Sequence, residues 1–168
     1  MVRCWRLVKA RRAADAWDGE GAYRYGGRWN SRGTRVVYSS QSLSLALLEI
    51  LVHLDQTRAA PKLVAFFADI PAACIEDLSV GTQSNGLLSA PLAVKNPRRF
   101  GDAWIEEASS LALRVPSAVI PTEQNILINP GHPDFKRIRI SQPEVFRFDD
   151  RLELAQRQSV RQADTPRD

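Results

Sequence analysis

GGRWNSRGTRVVYSSQSLSLALLEILVHL, residues 26–54, is the stretch that decides the fold. A glycine-rich basic loop gives way at 35–39 to RVVYS, a β-branched run that reads as a strand, and Ser40 and Ser42 then offer N-cap hydroxyls to a helix over 43–54. Nearly every helix position from Leu43 to Leu54 is apolar, which predicts a helix central to the fold. Ser42 just before the helix and Glu49 and His53 within it, spaced by seven and four, fall on one helical face. A carboxylate among apolar neighbours costs free energy unless it is partnered or functional. Glu49 is therefore read either as half of an ion pair, with a basic loop residue or His53, or as a site residue.

Working outward, CWRLVK (4–9) alternates as a first strand, with Arg6 facing away from Trp5 and Leu7. Residues 10–34 lack steady periodicity and read as a long loop or a pair of broken helices. KLVAFFADI (62–70) is a strong strand stopped by Pro71, residues 72–78 suggest a helical turn, and 79–97 read as a surface loop. A second amphipathic helix is expected over about 100–111, then two short strands, ALRVP (112–116) and SAVIP (117–121), a turn-rich NILINPGHPDF (125–135), and closing strands at 137–141 and 144–148. These short, irregularly ordered strands around two helices predict an α+β domain and no Rossmann series. One domain over 1–152 is expected, followed by a polar extension over 153–168 that has lost almost all aromatic and β-branched residues.

At 168 residues the chain is long enough for one core, and no 18-residue uncharged apolar run suggests a membrane span. The start MVRCWRLVKARR lacks a signal-peptide core, so a cytoplasmic location is expected. Cys4, Cys74, His53 and His132 form no metal-ligand spacing, so no metal is expected. The net charge of +4 is uneven: residues 1–35 hold nine Lys/Arg against three Asp/Glu, whereas residues 36–150 hold ten against thirteen. A basic N-terminal quarter suits an anionic nucleotide or an acidic protein partner. Direct nucleic-acid binding is the weaker reading, because no recognition-helix pattern accompanies the arginines.

Several positions carry both a chemical and a plain structural reading. Gly26 and Gly27 would let Arg28 point from a turn into a cleft, or simply make a turn bearing a surface arginine. The segment matches neither GxGxxG nor GxxxxGK[ST]. Tyr38 reads as a core aromatic or as a stacking face. Arg6 and Arg114 read as edge-strand charges. Ser117 lacks a GxSxG setting and reads as a turn hydroxyl.

Taken in order, WRLV (5–8), GEGAYRYGGRWN (19–30), VVYSSQSLSLALLEILVHL (36–54), GDAW (101–104), LRVPSAVIP (113–121) and NILINPGHPDF (125–135) closely resemble the RES-domain family, toxin components of bacterial toxin–antitoxin pairs, over about residues 3–152. The Arg, Glu and Ser that name the family fall on Arg28, Glu49 and Ser117. In TEQNILINP (122–130), Gln124 and Ile126 depart from the family's EYNYLLNP-like string. The resemblance implies a fold like the diphtheria-toxin type of ADP-ribosyltransferase and cleavage of NAD at its nicotinamide–ribose bond. Hydrolysis or phosphorolysis is the first reading, and transfer of ADP-ribose to a cellular protein the alternative.

It further implies that Glu49 stabilises the oxocarbenium-like ribose and that Arg28 and Arg6 hold pyrophosphate or ribose. Tyr38 would stack on nicotinamide, and Ser117 would orient Glu49 or bind the nicotinamide-ribose side. A cognate Xre-like antitoxin covering the cleft, and a homodimer within the toxin–antitoxin complex, are the implied partners.

Overall fold

The computed structural model describes residues 1–53, 61–78 and 94–149. The proposed extension at 153–168 and most of the 79–97 loop lie outside the described residues. In chain order the elements are β1 (Val2–Lys9), α1 (Glu20–Tyr25), β2 (Val37–Ser40), α2 (Leu43–Leu51), β3 (Leu63–Ile70), β4 (Ile75–Asp77), α3 (Pro97–Glu107), β5 (Ala112–Pro116), β6 (Gln124–Ile128), β7 (Arg139–Ile140) and β8 (Glu144–Phe146). This is an α+β domain, as expected.

One mixed sheet runs β4-β5-β6-β2-β1-β3-β7, with β8 also pairing β3. Its pairs are antiparallel except β4 with β5. The central strands are buried on both faces. On β6, Ile126 and Ile128 enter a core with Cys4, Val37, Ala68 and Ile70, whereas Leu127 faces Trp29, Val36, Trp104, Leu113 and Val115 on the side covered by α3. Side-chain alternation along a strand makes that division.

The helix after β2 begins as its sequence predicts, with the Ser42 hydroxyl accepting from the Leu45 N–H at 3.1 Å. Its all-round apolarity overstates its burial, however. Leu45 and Ala46 are buried on the sheet, while Leu48 and Val52 remain 37% and 58% exposed. The 10–34 region contains α1, ended by Gly26 at φ +70, a left-handed value that glycine adopts without a Cβ penalty. The segment 72–78 holds one helical turn followed by β4, which adds to the sheet beside β5.

Two expectations fail together. SAVIP is not a strand: the Ser117 hydroxyl accepts from the N–H groups of Val119 and Ile120, both at 3.0 Å, and so closes a tight turn after Pro116. The strand lies instead at Gln124–Ile128, running into the segment read as turns from 125, where pairing with both β2 and β5 overrides its Asn and Gln content. The second helix also starts earlier, at Pro97, with the Asn96 side chain capping the Arg99 N–H.

Candidate active site

Among the described residues β1 and β2 are joined at one register pair, Trp5 opposite Ser40, although each is fully laddered to its other neighbour. A cleft of about 950 Å³ is lined by these two strands, by the glycine loop and by α2. Arg6 ties the two strands together: its Nη1 donates to the Tyr38 carbonyl and its Nε to the Ala16 carbonyl at 2.6 Å. Burial lowers the Arg6 pKa to about 10, opposed by Asp18 and Asp15, so the guanidinium stays cationic at neutral pH. Arg6 thus faces the cleft but spends part of its donor set on the fold.

The loop that carries Arg28 is held from two sides. From β2, the Tyr38 hydroxyl donates to Asn30 Oδ1 at 2.7 Å and accepts from the Trp29 N–H at 3.0 Å. Burial pushes this phenol up to about 12, against the Trp29 hydrogen bond, so it remains protonated. Asn30 is wholly buried, and its amide reaches the carbonyls of Ala22, Ser31 and Thr34.

Gly27 permits this closeness, since a Cβ there would lie 2.4 Å from the Tyr38 hydroxyl and 2.7 Å from Asn30 Oδ1. From α3, Asp102 accepts from the Ser31 N–H at 2.8 Å and the Ser31 hydroxyl at 2.5 Å, while Arg98 Nε donates to the Gly27 carbonyl at 3.2 Å. Burial alone would raise the Asp102 pKa. The Ser31 hydroxyl and N–H, Thr34 and the Arg98 charge outweigh it and hold Asp102 below its ordinary value. Gly101 lets α3 press on the loop, because a Cβ there would fall 1.9 Å from the Trp29 carbonyl oxygen. The GDAW string is therefore the back support of the GGRWN loop. Arg28 itself is exposed at the cleft and makes no hydrogen bond or ion pair among the described residues.

Glu49 projects from α2 into the same cleft. Its Oε1 accepts from the Ser117 hydroxyl at 2.8 Å and from Asn125 Nδ2 at 2.6 Å. Ser117 is buried beneath it, while its neighbours Pro116 and Ala118 line the cleft. The structure thus brings Arg6, Arg28, Tyr38 and Glu49 to one cavity and places Ser117 against the carboxylate. His53 also lines the cavity, whereas Arg114 sits apart, paired with Asp77 at 2.9 Å.

Reasoning from sequence missed Asn125, along with the support residues Asn30, which is buried, and Asp102, which is half-buried. The signal for Asn125 is a polar side chain one residue before a fully buried Ile-Leu-Ile run, in the segment that departs from the family's string at Gln124 and Ile126. Ile126 is core, and the Gln124 backbone N–H bonds the Gln41 side chain at 3.1 Å. No group of His, Cys, Asp and Glu among the described residues is arranged to hold a metal. No helix among them is long and apolar enough to cross a membrane.

The fold is an α+β domain whose partly opened sheet gathers arginines, a tyrosine and a braced carboxylate around one cleft. The RES-domain family model matches residues 3–149, and the chain belongs to that family. It is 40% identical over 149 residues to Toxin Res of Yersinia enterocolitica, covering 88% of this chain and 97% of that protein. A second relative, the Prs ADP-ribosylating toxin of a Sphingobium species, is 34% identical over 153 residues, covering 88% and 94%. The fold matches a chain of the M. tuberculosis MbcT–MbcA toxin–antitoxin complex with a TM-score of 0.64 at 19% identity, covering 93% of this chain and 88% of that one.

Proposed function

We infer that this protein is the toxin of a toxin–antitoxin pair and that it cleaves NAD at the nicotinamide–ribose bond. The observation that carries the reading is Glu49, a carboxylate with one oxygen held by two donors at the wall of a cleft that also presents Arg6, Arg28 and Tyr38. The C1′–N bond breaks with its electron pair going to the nicotinamide nitrogen, which leaves neutral. No general acid is required. Positive charge builds at the ribose, and Glu49 stabilises it or holds the ribose hydroxyls. Water then adds its oxygen to C1′ and releases a proton, or phosphate adds in its place.

In this reading Arg28 and the remaining N–H groups of Arg6 hold the pyrophosphate, and Tyr38 lends its ring face to nicotinamide. Ser117 acts through Glu49. The partner is an antitoxin covering the cleft, in keeping with the names and complex of the relatives.

Incubation of the purified protein with NAD, with and without phosphate, tests the function. Free nicotinamide is expected together with ADP-ribose or its 1-phosphate, and NAD left intact would sink the reading. Glu49→Gln keeps the shape of the side chain but loses its charge, and is expected to lower kcat at least about a hundredfold. A second reading, transfer of ADP-ribose to a cellular protein, is favoured by the Sphingobium relative, which is named for ADP-ribosylation. Labelled NAD marking a discrete protein band in host lysate separates it from hydrolysis.

A further inference from the structure

We propose that Asn125, held by Ser40, is a positioning residue for Glu49 and fixes which carboxylate oxygen the cleft presents. This rests on the NAD-cleaving reading for its consequence but not for its geometry. Ser40 and Asn125 are register partners on β2 and β6, and Asn125 is also opposite Val115 on β5. The buried Ser40 hydroxyl donates to Asn125 Oδ1 at 2.7 Å. The Glu49 carboxylate can only accept, which settles the amide orientation: the NH₂ faces Glu49 and Oδ1 is left to accept from the Ser40 hydroxyl. Asn125 Nδ2 then reaches Glu49 Oε1 at 2.6 Å, and the Ser117 hydroxyl reaches the same oxygen at 2.8 Å.

Two donors from two different strand ends converge on Oε1. Oε2 accepts from no described residue and is the oxygen left for a ligand. Each donor contributes a hydrogen bond and no charge of its own. An arginine or lysine at position 125 would do the opposite and quench the field that a cationic ribose needs. The charged and titratable groups that line the cleft with Glu49 are Arg6 and Lys9 on β1, Arg12, Asp15 and Asp18 after it, Glu20 and Tyr25 on α1, Arg28 on the loop, Tyr38 on β2 and His53 just past the end of α2.

Asn125→Ala is expected to lower kcat about ten- to a hundredfold, the worth of one hydrogen bond to a charged group, with KM for NAD little changed. Ser40→Ala, which removes the hydroxyl that anchors Oδ1, is expected to give a smaller loss of the same kind. Asn125→Asp supplies a readout that loss of packing would not produce. When protonated, the new carboxyl donates to Oε1 as the amide does; when ionised, it repels Glu49. Its activity should therefore rise as pH falls, a limb that neither wild type nor Asn125→Ala shows. Wild-type kcat in Asn125→Ala, with the thermal midpoint retained, overturns the proposal.

A measurement without turnover keeps this apart from the NAD reading. The ¹³C shift of the Glu49 carboxyl, followed against pH, should show a coupled two-step titration in Asn125→Asp. A Glu49 curve identical to wild type overturns the positioning role even if NAD is cleaved. A coupled curve in a protein that leaves NAD intact supports it while the proposed reaction falls.

Discussion

Replacing Gly27 by alanine should act through Tyr38. A Cβ at position 27 would stand 2.4 Å from the Tyr38 hydroxyl oxygen and 2.7 Å from Asn30 Oδ1, about 1 Å inside ordinary contact for both. The ring and the amide must part, and the bonds at 2.7 Å between them and at 3.0 Å to the Trp29 N–H are lost. Two net hydrogen bonds at about 1 kcal/mol each, with about 1–3 kcal/mol of overpacking, give a loss of about 3–5 kcal/mol. For a chain of this size that lowers Tm by about 6–20 °C.

Tyr38→Phe removes the hydroxyl without adding bulk, and leaves the buried Asn30 oxygen and the Trp29 N–H short of a partner, at about 1–3 kcal/mol. Because both substitutions destroy the same bonds, the double variant should be more stable than the sum of the two predicts, by about 1–2 kcal/mol. Denaturant unfolding of the four proteins measures that coupling. Strict additivity, or a Gly27→Ala protein as stable as wild type, would refute the argument that this glycine exists to admit the tyrosine hydroxyl.

Arg28→Ala should leave stability within about 0.5 kcal/mol of wild type, since the side chain is exposed and pairs with no described residue, yet raise KM for NAD at least about tenfold. Equal losses in stability and affinity would mark a structural arginine instead. Asp102 has a lowered pKa in the fold, so its contribution to stability is present above its unfolded pKa and disappears as pH falls through the lower folded value. Asp102→Asn should therefore be less stable than wild type at neutral pH, and the gap should close below about pH 4. A pH-independent gap in urea midpoints would show that the carboxylate charge is not what holds the Ser31 loop.

Local chemistry was legible in the chain before any fold was in hand. Ser42 announces the start of α2, the alternation of CWRLVK marks β1, and KLVAFFADI marks β3, because capping and side-chain periodicity are decided within a few residues. Glu49 also stood out there, as a charge among apolar neighbours. The failures share a cause. SAVIP looks like a strand by composition, but the Ser117 hydroxyl closes a turn with the N–H groups that a ladder would need. QNILI looks like a turn, but two neighbouring strands lay claim to it. Propensity is a weak prior, and pairing across the sheet outweighs it.

By itself, then, the sequence determined an α+β domain, its main helix, and the arginine, glutamate and serine that mark its family. Tertiary structure decided what those residues do to one another. Glu49 meets Ser117 across 68 positions and Asn125 across 76, distances along the chain at which no helical or strand period carries information. Sheet register sets Ser40 beside Asn125, and the packing of α2 on the sheet brings Glu49 to Asn125. The glycine at 101 is likewise mute in sequence, and acquires its reason only when α3 lies against the Trp29 carbonyl. Close approach and hydrogen-bond saturation are properties of surfaces brought together, so they appear only once the chain has folded.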